Sequence, residues 1–397
     1  MRRIIIFILR LNIFIFFYLL YLMDNKYILK TLDNGMKILL IPIPKTKLID
    51  LQLAFSIGQD NETYSKTKEC NIEAAHFLEH MFSMYTSSKY PSAKKINYIL
   101  SQNGISNDAT VDSNITKYDL KLHKKHLNFV LDMVYNTYKD FKLDMNIYEQ
   151  EKVSVQEELK TILDDMWIDL QEKMNKAIYL NHTRGLSQRV SLKSVSKMKP
   201  KQLMDFYNKY YKPVNTTLIL AGDFSVKSAM EQCIKLFSKI KDSGCIPLVK
   251  GIENIKKEPQ IVFSKNTKSM SYNLYINFRI PYIYFDEEYY FNYALGNILA
   301  KDLESVLLKE LRSKHGLIYT LDYDVNLDET NKSFSFLSIN TQLDEKNLLK
   351  TIKIIFDILS KLKKKEIDKK EVKKYKTDIE MAMLEDNVCK DSEEFIN

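Results

Sequence analysis

Five consecutive residues, His76-Phe77-Leu78-Glu79-His80, carry the clearest chemistry in this chain. On a helix, His76 and His80 lie about 40° apart around the axis and about 6 Å apart along it, so both imidazoles can reach one cation. Glu79 lies on the same broad side, where its carboxylate can take a proton from an attacking water instead of binding the metal. This is the inverted zincin arrangement. With only 6 histidines in 397 residues, a chance HxxEH is roughly a 0.5% event, so the motif is read as a site.

Zinc on two histidines needs a third protein ligand, and in hydrolytic sites of this kind it is a carboxylate, with a fourth position left for water. The stretch from Glu151 to Leu159, read as a helix, is the best source. Glu151 and Glu158 are seven residues apart and share a face, whereas Glu157 points about 100° away from Glu158.

Positioning these groups requires a sheet and several helices. Lys26 to Leu32 and Lys37 to Ile43 flank Asp33-Asn34-Gly35, a strong hairpin signal. A third strand, Leu48 to Ile57, precedes the metal helix at Ile72 to Ser83 and a second helix, Ala93 to Gln102, that stops at Asn103-Gly104. Strands follow at Ser106 to Val111 and Thr116 to His123, then helical patterns at Lys125 to Phe141 and Asn146 to about Asn181. The strand Asn215 to Phe224 and the amphipathic stretch Val226 to Ile240 lead into a linker, Lys241 to Pro259, without periodicity. The next unit repeats the order: strand Tyr272 to Ile280, helix Tyr289 to Leu311, strands Leu317 to Asp322 and Phe334 to Asn340, helix Lys346 to Leu362. Such self-similarity predicts an α+β fold of two related domains, each a mainly antiparallel sheet packed with helices and together enclosing a cleft.

Composition narrows the function classes. At 45% hydrophobic and 28% charged residues, the chain is globular rather than disordered or collagenous. The net charge of +8 comes from 59 basic and 51 acidic residues mixed along the chain, which reads as solvated faces and not as a nucleic-acid stripe. Cys70, Cys233, Cys245 and Cys389 form no CxxC pair, so no zinc knuckle or disulfide framework is indicated and a reducing intracellular compartment fits. Residues 4–23 form an apolar run behind Met1-Arg2-Arg3, interrupted by Arg10 and Asn12 and without a small-residue cleavage site. It reads either as a signal-anchor in a membrane or as a mis-assigned start with translation from Met23. No GxSxG elbow or phosphate loop is present.

From Met23 onward the chain resembles the pitrilysin/insulinase family of zinc metallopeptidases, in its mitochondrial-processing-peptidase-like branch. The motif stands here as Ala75-His76-Phe77-Leu78-Glu79-His80-Met81, with Glu151-Lys152 and Glu157-Glu158-Leu159 following at the family distance. That alignment implies His76, His80 and Glu158 as ligands of one Zn²⁺ per chain, Glu79 as catalytic base, and Glu151 as a carboxylate orienting His76 or the ligand helix. Spacing from His80 slightly prefers Glu157, but the Glu151-Lys152 anchor and the following Leu159 favour Glu158, with Glu157 as the alternative. Asn107, with Thr110, Thr116 and Tyr118, resembles the family's strand beside the metal helix. Arg312 and Tyr319 in Leu311 to Tyr319 resemble its Arg/Tyr segment, which reaches the substrate carbonyl and would stabilise an oxyanion. Two positions depart from the pattern: Glu73 replaces the usual glycine before the motif, and Ser83-Met84-Tyr85-Thr86 replaces Phe-Lys-Gly-Thr.

The chain therefore divides into a hydrophobic segment at 1–23 (signal-anchor or mis-assigned start), a domain at 24–240 that the resemblance makes the catalytic zinc-binding one, a linker at 241–259 and a related domain at 260–397 contributing to the substrate cleft. The last is expected to be C-terminally truncated, because a helix and strand matching the end of the first domain are missing after the helical stretch ending near Glu385. The implied function is a metalloendopeptidase cleaving extended peptides or unfolded segments laid beside a strand edge, as a monomer or paired in a homo- or heterodimer with a related subunit. The alternative is a catalytically silent relative serving as a partner or structural subunit.

Overall fold

The computed structural model describes residues 27–64, 70–180, 182–241, 258–264, 271–283, 288–328 and 331–363, with Lys373, Lys374 and Thr377. The apolar run at 4–23, most of the linker and the stretch ending near Glu385 lie outside the described residues. Contacts divide the chain into two compact units, Met1–Ser264 and Lys265–Asn397. Among the described residues no helix is long and apolar enough to cross a membrane.

The first unit opens with β1 (Ile28–Thr31) and β2 (Lys37–Pro42), paired antiparallel with Ile28 opposite Leu40. Gly35 makes the turn at φ +86°, in the left-handed region glycine enters without a Cβ penalty. β3 (Leu48–Phe55), β4 (Ser106–Val111), β5 (Thr116–His123) and β6 (Thr216–Gly222) complete a six-stranded sheet in the order β1-β2-β6-β3-β5-β4. Only β2 and β6 run parallel; the other neighbours are antiparallel. β4 is therefore an edge strand.

The central strands are apolar on both faces. Ile38, Leu40, Leu51, Leu53, Leu218 and Leu220 point into the main core, while the alternate residues Leu39, Ile41, Ala54 and Ile219 form a small second cluster. This is the period-two consequence of the pleat. The main core is closed by helices, foremost α1 (Ala74–Phe82), which buries Ala74, Ala75, Phe77, Leu78, Met81 and Phe82. Phe82 is anchored by Phe55 edge-on at 5.9 Å and by Tyr118 at 4.6 Å between ring centroids.

The remaining helices of this unit are α2 (Ala93–Gln102), α3 (Leu127–Lys139), α4 (Met145–Leu163), α5 (Ile168–Tyr179), α6 (Gln188–Lys197), α7 (Pro200–Tyr210) and α8 (Val226–Phe237). The single helix expected from Asn146 to Asn181 is two. Its apolar recurrence continues through the break, but Asp164 caps the end of α4 and the Asp165 carboxylate accepts the Trp167 N–H at 2.7 Å. Aspartate side chains offering the backbone such bonds favour turns over helix.

The second unit has β7 (Tyr272–Arg279), α9 (Glu288–Ala300), β8 (Ile318–Asn326), β9 (Phe336–Leu343) and α10 (Leu348–Leu362). Its three strands lie in the order β7-β9-β8, all antiparallel, over Leu299, Leu307, Leu311, Leu321, Ile339 and Ile355. The helix expected from Tyr289 to Leu311 stops at Ala300 and resumes as Val306–Leu308, widening into a π-turn at Lys309–Lys314. The cause is again an aspartate, since Asp302 accepts the Glu304 N–H at 2.9 Å and its carbonyl accepts the Ser305 N–H at 3.0 Å.

Candidate metal centre

Six of the nine residues of α1 are buried in the core, which leaves His76, Glu79 and His80 together on its partly open face. Their nearest nitrogen and oxygen atoms all lie within 4.8 Å of one another. α4 supplies the carboxylates opposite. It is held against α1 by Tyr148, whose ring is 5.1 Å from Phe77 and whose hydroxyl donates to the Met198 carbonyl at 2.8 Å. Tyr148, Val155 and Leu159 are its buried residues. Glu151 and Glu158, three residues from the first and second of these, flank that seam.

The Glu158 carboxylate spans both imidazoles, with Oε2 3.2 Å from His76 Nε2 and Oε1 3.6 Å from His80 Nε2. Glu157, 63% exposed, turns outward to Lys160 at 2.6 Å. Glu151 lies against His80 and not His76: its Oε2 is 3.1 Å from His80 Nδ1. The packing of α4 on α1 sets this, because it places Glu151 beside the last turn of α1 while Glu158 reaches back to His76. His76 Nδ1 is instead 3.0 Å from Glu73 Oε2. A carboxylate can only accept, so each ring in its neutral form carries its proton on Nδ1 and turns Nε2 toward Glu158. Two imidazole nitrogens and a carboxylate are a donor set that suits zinc.

Burial is the largest influence on Glu79 and holds its carboxyl above the usual range, with His80 and His76 opposing it and Glu158 and Asp108 adding to it. At 3.9 Å from His80 Nε2, Glu79 is beside the donors and does not bridge them. Burial pushes the His76 imidazole down, but the Glu73 hydrogen bond and the charges of Glu73, Glu158 and Glu79 outweigh it, and its net pKa is raised.

The two ends of α1 depart from ordinary backbone. Glu73, its N-cap, sits at φ +71° and Tyr85, just beyond its end, at φ +53°. These are the two positions where the resemblance calls for glycine, and a side chain there costs about 1–2 kcal/mol each. Glu73 makes no side-chain cap. The buried Glu62 does that work, accepting the N–H groups of Glu73 and Ala75, each at 2.9 Å. Burial, then the charge of Glu73, push Glu62 well above the carboxylate range. Sequence reading missed the contacts of Glu62 and Glu73. The i,i+3 spacing of Glu73 and His76 was the available signal for the second; none existed for the first.

Asn107 lies on edge strand β4 and its Nδ2 is 3.5 Å from the Ser83 carbonyl at the end of α1. The neighbouring Thr116 is buried and donates to the Ile57 carbonyl at 2.8 Å, and the hydroxyls of Tyr118 and Tyr211 pair at 2.9 Å. Arg312 and Tyr319 belong to the second unit, where the guanidinium lies 4.5 Å over the Tyr319 ring, itself 74% exposed. His123 and His182 accept backbone N–H groups of nearby turns, and His315 lies 3.4 Å from Glu310.

Comparison with known proteins adds an independent line. Residues 66–189 match the insulinase (peptidase family M16) family model, and residues 197–379 match the model described as the peptidase M16 inactive domain. The uncharacterized zinc protease YmxG of Bacillus subtilis is 24% identical over 355 residues, covering 89% of this chain and 83% of that protein. The zinc protease PqqE of Helicobacter pylori is 24% identical over 357 residues, covering 87% and 77%. The crystal structure of pitrilysin superposes with a TM-score of 0.67 at 21% identity over 88% of this chain and 37% of that one, a likeness of fold.

Proposed function

The chain belongs to the pitrilysin/insulinase family of peptidases, and from that premise we propose that it is a zinc metalloendopeptidase, with one ion per chain held by His76, His80 and Glu158. The observation that carries this is the approach of one carboxylate, Glu158, to two Nε2 atoms whose opposite nitrogens are already engaged. Zinc bound there supplies a Lewis acid that polarises the scissile carbonyl and acidifies water.

The protein's own groups do the rest. Glu79 takes a proton from the attacking water and passes it to the departing amine, so that one water and one peptide bond yield a carboxylate and an amine. Its burial brings its pKa closer to the working range of a general base. Glu151, at His80 Nδ1, holds that ring in the tautomer that presents Nε2. An extended peptide adds to the free edge of β4, where main-chain hydrogen bonds give affinity with modest selectivity and Asn107 marks the end nearest α1. Arg312 and Tyr319 enter this reading through the family resemblance, as substrate-binding residues that stabilise the developing oxyanion. Pairing with a related subunit is part of the same proposal.

The test is Glu79→Gln in the full chain. The variant should bind one zinc per chain as the parent does and lose about 10²- to 10⁴-fold in cleavage of a quenched peptide. Purified, folded parent protein that takes up no zinc would overturn the proposal in favour of the silent partner subunit.

A further inference from the structure

We propose that Glu73 is a positioning residue of the metal centre, fixing His76 as Glu151 fixes His80; this rests on the zinc reading above. The side chain of Glu73 is 7% exposed, and its Oε2 lies 3.0 Å from His76 Nδ1. A buried carboxylate requires a partner, and this imidazole is the one the geometry supplies. Accepting the Nδ1–H sets the tautomer and turns the Nε2 lone pair toward Glu158, 3.2 Å away.

Three observations separate this from ordinary helix capping. The capping of α1 is done by Glu62, which accepts the N–H groups of both Glu73 and Ala75. The Glu73 carboxylate is therefore free to cross the first turn to His76. Its backbone, at φ +71° and ψ +10°, is one that glycine adopts with less strain. Finally, its carboxylate lies close enough to buried Glu62 to raise that residue's pKa, a cost that a glycine would spare. A side chain kept against backbone strain and against a neighbouring buried carboxylate points to a role for the side chain itself. The outcome is a symmetric support, one carboxylate behind each imidazole: Glu73 from the start of α1, and Glu151 from α4.

The experiment compares parent, Glu73→Gly and Glu73→Gln as full chains, reading zinc affinity by competition with a chelator and thermal unfolding of the metal-free protein. Removing such a partner of a ligating histidine lowers metal affinity by about 10- to 100-fold. Glu73→Gly should show that loss while its metal-free Tm stays level or rises, since glycine relieves the backbone. Glu73→Gln, a neutral acceptor, should fall between the two. Parent-like zinc affinity in Glu73→Gly overturns the role of Glu73 while leaving the zinc reading intact. A metal-free Tm lowered in both variants in step with affinity assigns Glu73 to folding and also overturns it. A parent protein without zinc overturns the zinc reading and this inference together.

Discussion

Replacing Glu158 by glutamine, with Glu157→Gln as its pair, discriminates between two adjacent residues that the family spacing leaves open, although helical phase puts only Glu158 on the face of Glu151. Glutamine keeps the volume and the helix, so the change is one of charge and donor strength. Glu158 approaches both Nε2 atoms, at 3.2 and 3.6 Å. Loss of a carboxylate that merely orients a ligand weakens metal binding by about 10- to 100-fold, and loss of a donor costs more. The expected fall for Glu158→Gln is therefore at least about 100-fold, or about 2.7 kcal/mol at 1.36 kcal/mol per tenfold. Glu157, 63% exposed and paired with Lys160, contributes a surface ion pair of about 0–1 kcal/mol to stability and nothing to the metal. Chelator competition and the zinc-to-protein ratio after gel filtration measure both. Zinc lost in Glu157→Gln and kept in Glu158→Gln would refute the geometry of α4 against α1.

Two further outcomes follow from the same site. His76 has a net raised pKa in the metal-free fold, so the stability its protonated form contributes is fully present below the ordinary imidazole value and is lost as pH rises through the raised one. Zinc needs the neutral ring, so zinc affinity should climb over that same pH interval while metal-free stability declines. Affinity that is flat across about pH 5–8 would contradict this. Tyr85 is fully buried at φ +53°, and its hydroxyl has no hydrogen-bond partner among the described residues. Tyr85→Phe should be neutral or raise stability by up to about 1 kcal/mol. Tyr85→Gly should destabilise by about 2–4 kcal/mol, because losing an aromatic core side chain outweighs the relief of a left-handed backbone; denaturant unfolding reads both.

The legible part of this protein is what one element contains. His76, Glu79 and His80 share a face because a helix repeats every 3.6 residues, and Glu151 and Glu158 share another for the same reason. The hairpin at Asp33-Asn34-Gly35 is equally local, as is the continuous apolar run that makes β2 apolar on both faces. Where a local rule competes with a stronger local rule, reading by periodicity fails: apolar spacing ran on through Asp164-Asp165 and through Asp302, and side-chain bonds from the aspartates broke the helices.

Tertiary structure alone decided which group meets which. Glu151 reaches His80 instead of His76 because α4 packs so that this residue falls beside the last turn of α1, an arrangement that no spacing encodes. Glu62, 11 residues before the position it caps, is brought to α1 by the turn at Gln59–Asn61. Glu73 and Tyr85 stand where glycine is expected, and only the folded backbone explains how they are borne: one carries a carboxylate against His76, and the other fills the core. The sequence by itself determined which candidate donors share a helical face, because residue chemistry and helical phase are local. The assignment of partners is a property of packing, which depends on how separate helices and a sheet fill one volume.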